Sequence, residues 1–269
     1  MCIKKSEYIK ENSESYIKFK ENDFCECVEK HSFVKTLKSV IDEKSLGNKF
    51  SLCDIGCGEG KYIRSFSQLT QGKIIGIDLS DAMISKAKES KDFQGSNTEF
   101  FVGDCLAENE KIPEMINHEK FDVVTACFVL NYCTSKEVLK KALTFVKKNL
   151  LKEDGVFIAM VTNLYGKLGP PEVYEHMGIA HLDANMKIKN NYISGENVKL
   201  VFFEPGNFNI NGPFSMILNS YQYDYDTMNS TVINVGFKEM KVLSMEETEE
   251  TKGKFSEKLV KMNQIIIAN

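Results

Sequence analysis

A chain of 269 residues is long enough for one large domain, or a domain with an inserted cover. Apolar residues make up 42% and charged residues 27%, the net charge is −4, and Arg64 is the only arginine, so the forks that usually grip phosphate are scarce and no nucleic-acid partner is expected. No apolar run reaches the ~18–20 residues of a membrane span, and the opening MCIKKSEYIKENSESY lacks a secretory signal's apolar stretch, so a cytoplasmic location without membrane contact is expected.

Residues 1–45 are rich in Lys and Glu, with Phe33, Leu37, Val40 and Ile41 at helical spacing, and read as a helical lid. Short apolar runs then alternate with amphipathic stretches: FSLCDI, KIIGID, TEFFVGD, FDVVTACFV and GVFIAMVT, separated by segments such as SDAMISKAKES and SKEVLKKALTFVKKNLL. This rhythm over residues 46–162 predicts an α/β fold, a doubly wound and mostly parallel sheet with helices on both faces. The rhythm breaks over residues 163–225. There a Gly/Pro-containing stretch precedes two strand-like pieces, VKLVFFE and FSMILNSYQY, read as an antiparallel insertion over the end of the sheet. It resumes over residues 226–269, which complete the core and end in a strand, NQIIIAN. The whole is expected to form a single domain acting as a monomer or homodimer.

Chemistry gathers at the strand ends. Gly56, Gly58 and Gly60 alternate behind Asp54 with Cys57 between them, and the third glycine comes one position too early for G-x-G-x-x-G. KIIGID ends in Asp78, placed to hold both hydroxyls of a ribose. EFFVGD ends in Gly103 and Asp104, the latter placed to accept from an adenine amino group. Several carboxylates without arginine suit a sulfonium cation with an amino-acid tail better than a pyrophosphate. Asp54 has two readings, a cofactor contact or a cap on the loop's own N–H groups. Cys127 reads as a wall residue, since no preceding proline or basic groove supports a nucleophile. ACFVLNY brings no carboxylate to the fourth strand end, so no metal is expected. The eight cysteines lack paired metal-ligand spacing and read as free thiols.

These motifs resemble the class I S-adenosylmethionine (SAM) methyltransferases over residues 50–162: DIGCGEG, GIDLSDAMISKAKE, VGDC, FDVVTACFVLNY and LLKEDGVFIAM. The resemblance implies a seven-stranded Rossmann-like sheet, with SAM as cofactor and S-adenosylhomocysteine as product. By it the three glycines lie against the methionine part and Asp78 holds the ribose. Leu79 and Met83 sandwich the adenine, Asp104 and the Cys105 backbone meet its edge, and Ala126 to Phe128 contact the methionine amine. LKEDG stands where the family has LKPGG. The segment ESYIKFKENDFCECVEKHSF, the LNY and the Phe-rich insertion are similar to toxoflavin-type small-molecule methyltransferases, which implies that Tyr16 closes over SAM.

The acceptor is then expected to be a small, aromatic or heterocyclic molecule methylated on nitrogen or oxygen. A tRNA or protein methyltransferase and a non-catalytic SAM-binding subunit are the alternatives. His176 and His181 stand as candidates to orient or deprotonate it, or as solvated surface residues. Tyr132, Tyr165 and Tyr221 are candidate acceptor contacts. Alternation along QYDYD puts Tyr221, Tyr223 and Tyr225 on one strand face, either as packing or as an aromatic clamp.

Overall fold

The computed structural model of the protein describes residues 10–106, 111–168, 178–204, 207–210 and 214–269. Its frame is a seven-stranded sheet of β1 (Leu52–Ile55), β2 (Ile74–Asp78), β3 (Thr98–Val102), β4 (Phe121–Cys127), β5 (Leu151–Thr162), β9 (Met240–Ser244) and β10 (Asn263–Ala268). Their order is β3-β2-β1-β4-β5-β10-β9. The first five strands pair in parallel, and β10 runs antiparallel between β5 and β9. This is the doubly wound, mostly parallel sheet that the strand-helix rhythm predicts, with the seven strands that the resemblance implies.

Helices cover both faces because each carries one apolar stripe. On one side α5 (Lys111–Met115), α6 (Lys136–Phe145) and α7 (Tyr225–Asn234) bury Ile112, Leu139, Leu143, Met228 and Val232 against Val124, Phe157 and Ile266. On the other, α2 (His31–Glu43), α3 (Lys61–Phe66) and α4 (Asp81–Glu89) set Phe33, Leu37, Ile63, Phe66 and Ile84 against Leu52, Val123 and Ile158. Ser80, Ser135 and Asp224 cap α4, α6 and α7 by accepting from the N–H groups of Met83, Val138 and Thr227.

Three details add to the sequence reading. Among the described residues 10–45, α1 (Lys10–Lys20) sets Tyr16 and Phe19 against the core's edge, and α2 is part of the core layer, since its Phe33, Leu37 and Val40 are almost fully buried among core side chains. LKEDG, ahead of the predicted strand GVFIAMVT, already belongs to β5, with an irregular register opposite Phe121 and Val123. The insertion holds three antiparallel strands rather than two: β6 (Ile179–Leu182), β7 (Glu196–Phe202) and β8 (Met216–Gln222). The added strand β6 is four residues long and lies in a stretch of turn formers, where alternation has no length in which to show. No helix among the described residues is long and apolar enough to cross a membrane. The seven described cysteines are free thiols.

Candidate functional site

Between β1 and α3 the chain turns through three glycines in the left-handed region. Gly56 has φ 66°, and a Cβ there would sit 2.2 Å from Val129 Cγ2. Gly58 has φ 57° and its missing Cβ faces open space, so the backbone itself forms the surface. At the end of β2, Asp78 anchors this loop. Its Oδ2 accepts from the Gly58 N–H at 2.8 Å and its Oδ1 from the Ser80 N–H at 2.8 Å. Each carboxylate oxygen keeps further acceptor capacity. Burial raises the Asp78 pKa above the usual carboxylate value, and the two backbone donors oppose that rise.

A first cavity opens at these strand ends. The loop supplies Gly56 and Gly58, β2 and α4 supply Asp78, Leu79 and Met83, and the end of β3 supplies Gly103, Asp104 and Cys105. Cys127, Phe128 and Tyr132 come from the end of β4, and Tyr16 from α1 closes the opposite side. Burial pushes the Tyr16 hydroxyl up to about 12. Four residues expected to touch a cofactor are placed elsewhere. Asp54 is 1% exposed and accepts from the Thr125 hydroxyl at 2.7 Å; burial, partly opposed by that bond, pushes its carboxyl up to about 7. Ala126 is fully buried between Ile55 and Ala159 of the neighbouring strands. Gly60 faces Phe93. Cys57 lines an adjoining groove with Lys61 and Tyr62. The first three shape the loop and sheet rather than the cavity wall.

A second cavity lies beyond Tyr16, Phe128 and Tyr132, which line both. Its roof is the inner face of the small sheet. In the registers Ile179↔Phe202↔Met216 and His181↔Leu200↔Leu218 the side chains point the same way, and Ile179, His181, Leu200, Phe202 and Ser220 reach the cavity. Phe202 meets Phe19 edge-on at 4.8 Å and Tyr16 at 6.3 Å, joining α1 to the insertion. Below, Lys20 and Glu29 form an ion pair at 2.6 Å with side chains 11% and 3% exposed. Asn263 Nδ2 donates to the other Glu29 oxygen at 3.1 Å. Lys20 Nζ also stands 4.5 Å from the centroid of the Phe128 ring. Phe128 itself holds φ 57°, a costly conformation for a bulky side chain, at the junction of the two cavities.

The remaining candidates divide. His181 is 6% exposed in the second cavity, and burial lowers its pKa to about 4. Tyr221 sits on the outer face of β8, between the inward residues Ser220 and Gln222, and approaches Asn197 Nδ2 at 3.4 Å. β8 ends at Gln222, so the alternation stops there. Tyr223 turns into the core and donates to the Cys133 carbonyl at 2.6 Å, while Tyr225 begins α7. Tyr165 is 59% exposed and stacks on Tyr225 at 6.4 Å, away from both cavities. His176 lies outside the described residues. Phe202 is one of the insertion's aromatic residues that sequence reasoning set against a flat acceptor, whereas it missed Lys20, Glu29, Asn131, Ser220 and Asn263. Only Asn131 carried a signal, its place in the LNY behind β4.

Comparison with known proteins agrees with this geometry. Residues 52–155 match a family described as a methyltransferase domain. The mRNA cap guanine-N(7) methyltransferase of Schizosaccharomyces pombe is 26% identical over 160 residues, covering 56% of this chain and 44% of that protein. An uncharacterized protein of Methanocaldococcus jannaschii is 31% identical over 162 residues, covering 59% of this chain and 52% of its own. The chain thus spans about half the length of these relatives. A SAM-dependent methyltransferase from Clostridium acetobutylicum superimposes with a TM-score of 0.59 at 18% identity, over 96% of this chain and 98% of that one. The chain thus shares the fold of a SAM-dependent methyltransferase, and residues 52–155 of it match a methyltransferase domain.

Proposed function

We propose that the protein transfers a methyl group from SAM to a nitrogen, or less favourably an oxygen, of a small, flat and largely uncharged molecule held in the second cavity. The observation that carries this reading is the shared wall of Tyr16, Phe128 and Tyr132, across which ligands in the two cavities would meet. The first cavity fits the cofactor's chemistry. Asp78 retains acceptor capacity for two ribose hydroxyls, Leu79 and Met83 offer apolar faces to a purine, and the lining contains acids but no arginine. When bound, SAM supplies an electrophilic methyl group on a sulfonium sulfur. The chain's own part is alignment and exclusion of water, and positioning of this kind contributes ~7–11 kcal/mol. In the same reading α1 covers the cofactor and the small sheet selects the acceptor.

The preference for nitrogen follows from the bases at hand. His181 is held neutral with its pKa near 4, a weak base, and the Glu29 carboxylate is engaged by Lys20 and Asn263. A nitrogen with a lone pair needs no deprotonation, whereas a phenol near pKa ~10 gains from a base. A second reading, a nucleobase acceptor within RNA, draws on the similarity to the cap guanine-N(7) enzyme. It stands second because Lys20 and Lys167 are the only basic groups besides His181 among the residues lining the second cavity, a poor match for a phosphate backbone. The test is tritiated-methyl transfer from SAM to aromatic amines, phenols and nitrogen heterocycles, run beside capped RNA, bulk tRNA and protein. Labelling of a small nitrogen compound is expected. Strong labelling of RNA or protein with no small acceptor would overturn the reading, and SAM binding without transfer to anything would favour a non-catalytic partner subunit.

A further inference from the structure

We infer that the second cavity recognises its occupant through a polar hydrogen, an N–H or O–H, delivered to Asn131 Oδ1. The inference rests on the reading of that cavity as the acceptor's. Asn131 is 7% exposed and lines the cavity from the turn behind β4. Its Nδ2 donates to Thr162 Oγ1 at 2.8 Å and to Gln222 Oε1 at 3.4 Å. Those two bonds fix which way the amide faces, because Thr162 in turn donates to the same Gln222 oxygen. Gln222 Nε2 is committed as well, donating to Ser220 Oγ at 2.7 Å.

The consequence is an oriented acceptor. Among the described residues no donor reaches Asn131 Oδ1, although the atom is buried. A buried amide oxygen left unpaired costs ~1–3 kcal/mol, so a ligand that supplies the missing donor recovers that amount and one that cannot does not. Ser220, whose oxygen already accepts from Gln222, keeps its own proton for donation into the same cavity. Phe19, Ile179, Leu200 and Phe202 give flat apolar walls, while the Lys20–Glu29 pair, Asn263, Lys167 and His181 lie elsewhere on the same lining. A flat ring bearing one polar hydrogen fits. A fully alkylated ring of the same shape fits the walls but leaves the amide oxygen stranded.

Matched pairs differing in that one hydrogen test this directly. Binding to the full-length protein saturated with S-adenosylhomocysteine would be measured by calorimetry for indole against N-methylindole, naphthol against its methyl ether, and aminoquinoline against dimethylaminoquinoline. The wild type should favour the hydrogen-bearing member of at least one pair by roughly tenfold to a hundredfold. Asn131→Ala should abolish that preference while S-adenosylhomocysteine affinity changes less than about twofold. Asn131→Asp keeps an acceptor oxygen but loses both donor bonds, and should retain the preference. A residue that merely braces Thr162 and Gln222 would show the same loss in both variants. A preference that survives in Asn131→Ala, its absence from every wild-type pair, or no binding by any probe overturns the inference. If a pair is discriminated but no small molecule is ever methylated, the proposed activity fails and the recognition stands. If methylation occurs without discrimination, the reverse holds.

Discussion

The two cavities meet at Phe128 and are built in opposite ways. Apart from Tyr16, the first cavity takes its walls from contiguous turns at the ends of neighbouring parallel strands, around residues 56–58, 78–83, 103–106 and 127–132. Sheet register sets those turns side by side. The second cavity gathers single residues from α1, the helical turn holding Glu29, the end of β5, all three strands of the small sheet and the start of β10. Its geometry is the product of packing between elements far apart in sequence. The first is built from what the fold repeats in many proteins, and the second from what one chain adds to it.

The largest expected effect tests how far the second cavity depends on its buried ion pair. Lys20→Met leaves Glu29 charged, nearly buried and without its cation. Denaturant titration should show a loss of ~3–5 kcal/mol, and adding Glu29→Leu should restore much of it. A Lys20→Met chain as stable as the wild type would mean that the pair organises nothing.

Next comes the first cavity. Asp78→Ala removes the anchor of the Gly58 N–H and, in the proposed function, the acceptor for both ribose hydroxyls, and should weaken S-adenosylhomocysteine binding by ~30-fold to 1000-fold, about 2–4 kcal/mol. Calorimetry giving an unchanged affinity would remove Asp78 from the cofactor site.

A pH titration separates the sides again. His181 has a folded pKa of about 4 against an ordinary 6.5, so its contribution to stability is present in full above about 6.5. The unfolded chain takes up the proton first as pH falls, so that stability drains away between about 6.5 and 4, by up to roughly 3 kcal/mol. The raised Asp54 and Asp78 carboxyls slope the other way across part of this range. The readout is therefore the difference between wild type and His181→Gln, which should grow as pH falls from about 6.5 to 4. Parallel curves for the two proteins would place the imidazole in water.

The smallest effect is the most selective. Phe202→Leu loses the aromatic contacts with Phe19 and Tyr16, worth ~0.5–1.5 kcal/mol, and should raise the acceptor's KM severalfold while leaving cofactor affinity alone. Equal losses on both sides would mean that the cavities are not separable.

What was legible in the sequence follows the same division. The parallel strands, the glycine loop and Asp78 are local patterns, and each element advertises its own role. Asp54, Gly60 and Ala126 belong to those patterns yet support the loop and sheet from behind, since a motif does not distinguish the residue facing a ligand from the one holding it up. Lys20 and Glu29 lie nine positions apart across the break between α1 and the next helical turn, so no single helical period brings them together. Strand alternation gives two faces without saying which is inward, and it is Ser220, not its neighbour Tyr221, that lines the second cavity.

The position of β10 sets an order of events during synthesis. Leu164 at the end of β5 donates to Gln264 across 100 residues of chain, and Asn263 completes the Glu29 network. At ~5–20 residues per second, a ribosome needs roughly 5–20 s to supply that interval. The parallel strands and their glycine loop emerge first, so every residue lining the first cavity has left the ribosome before Met262 and Asn263 arrive to complete the second.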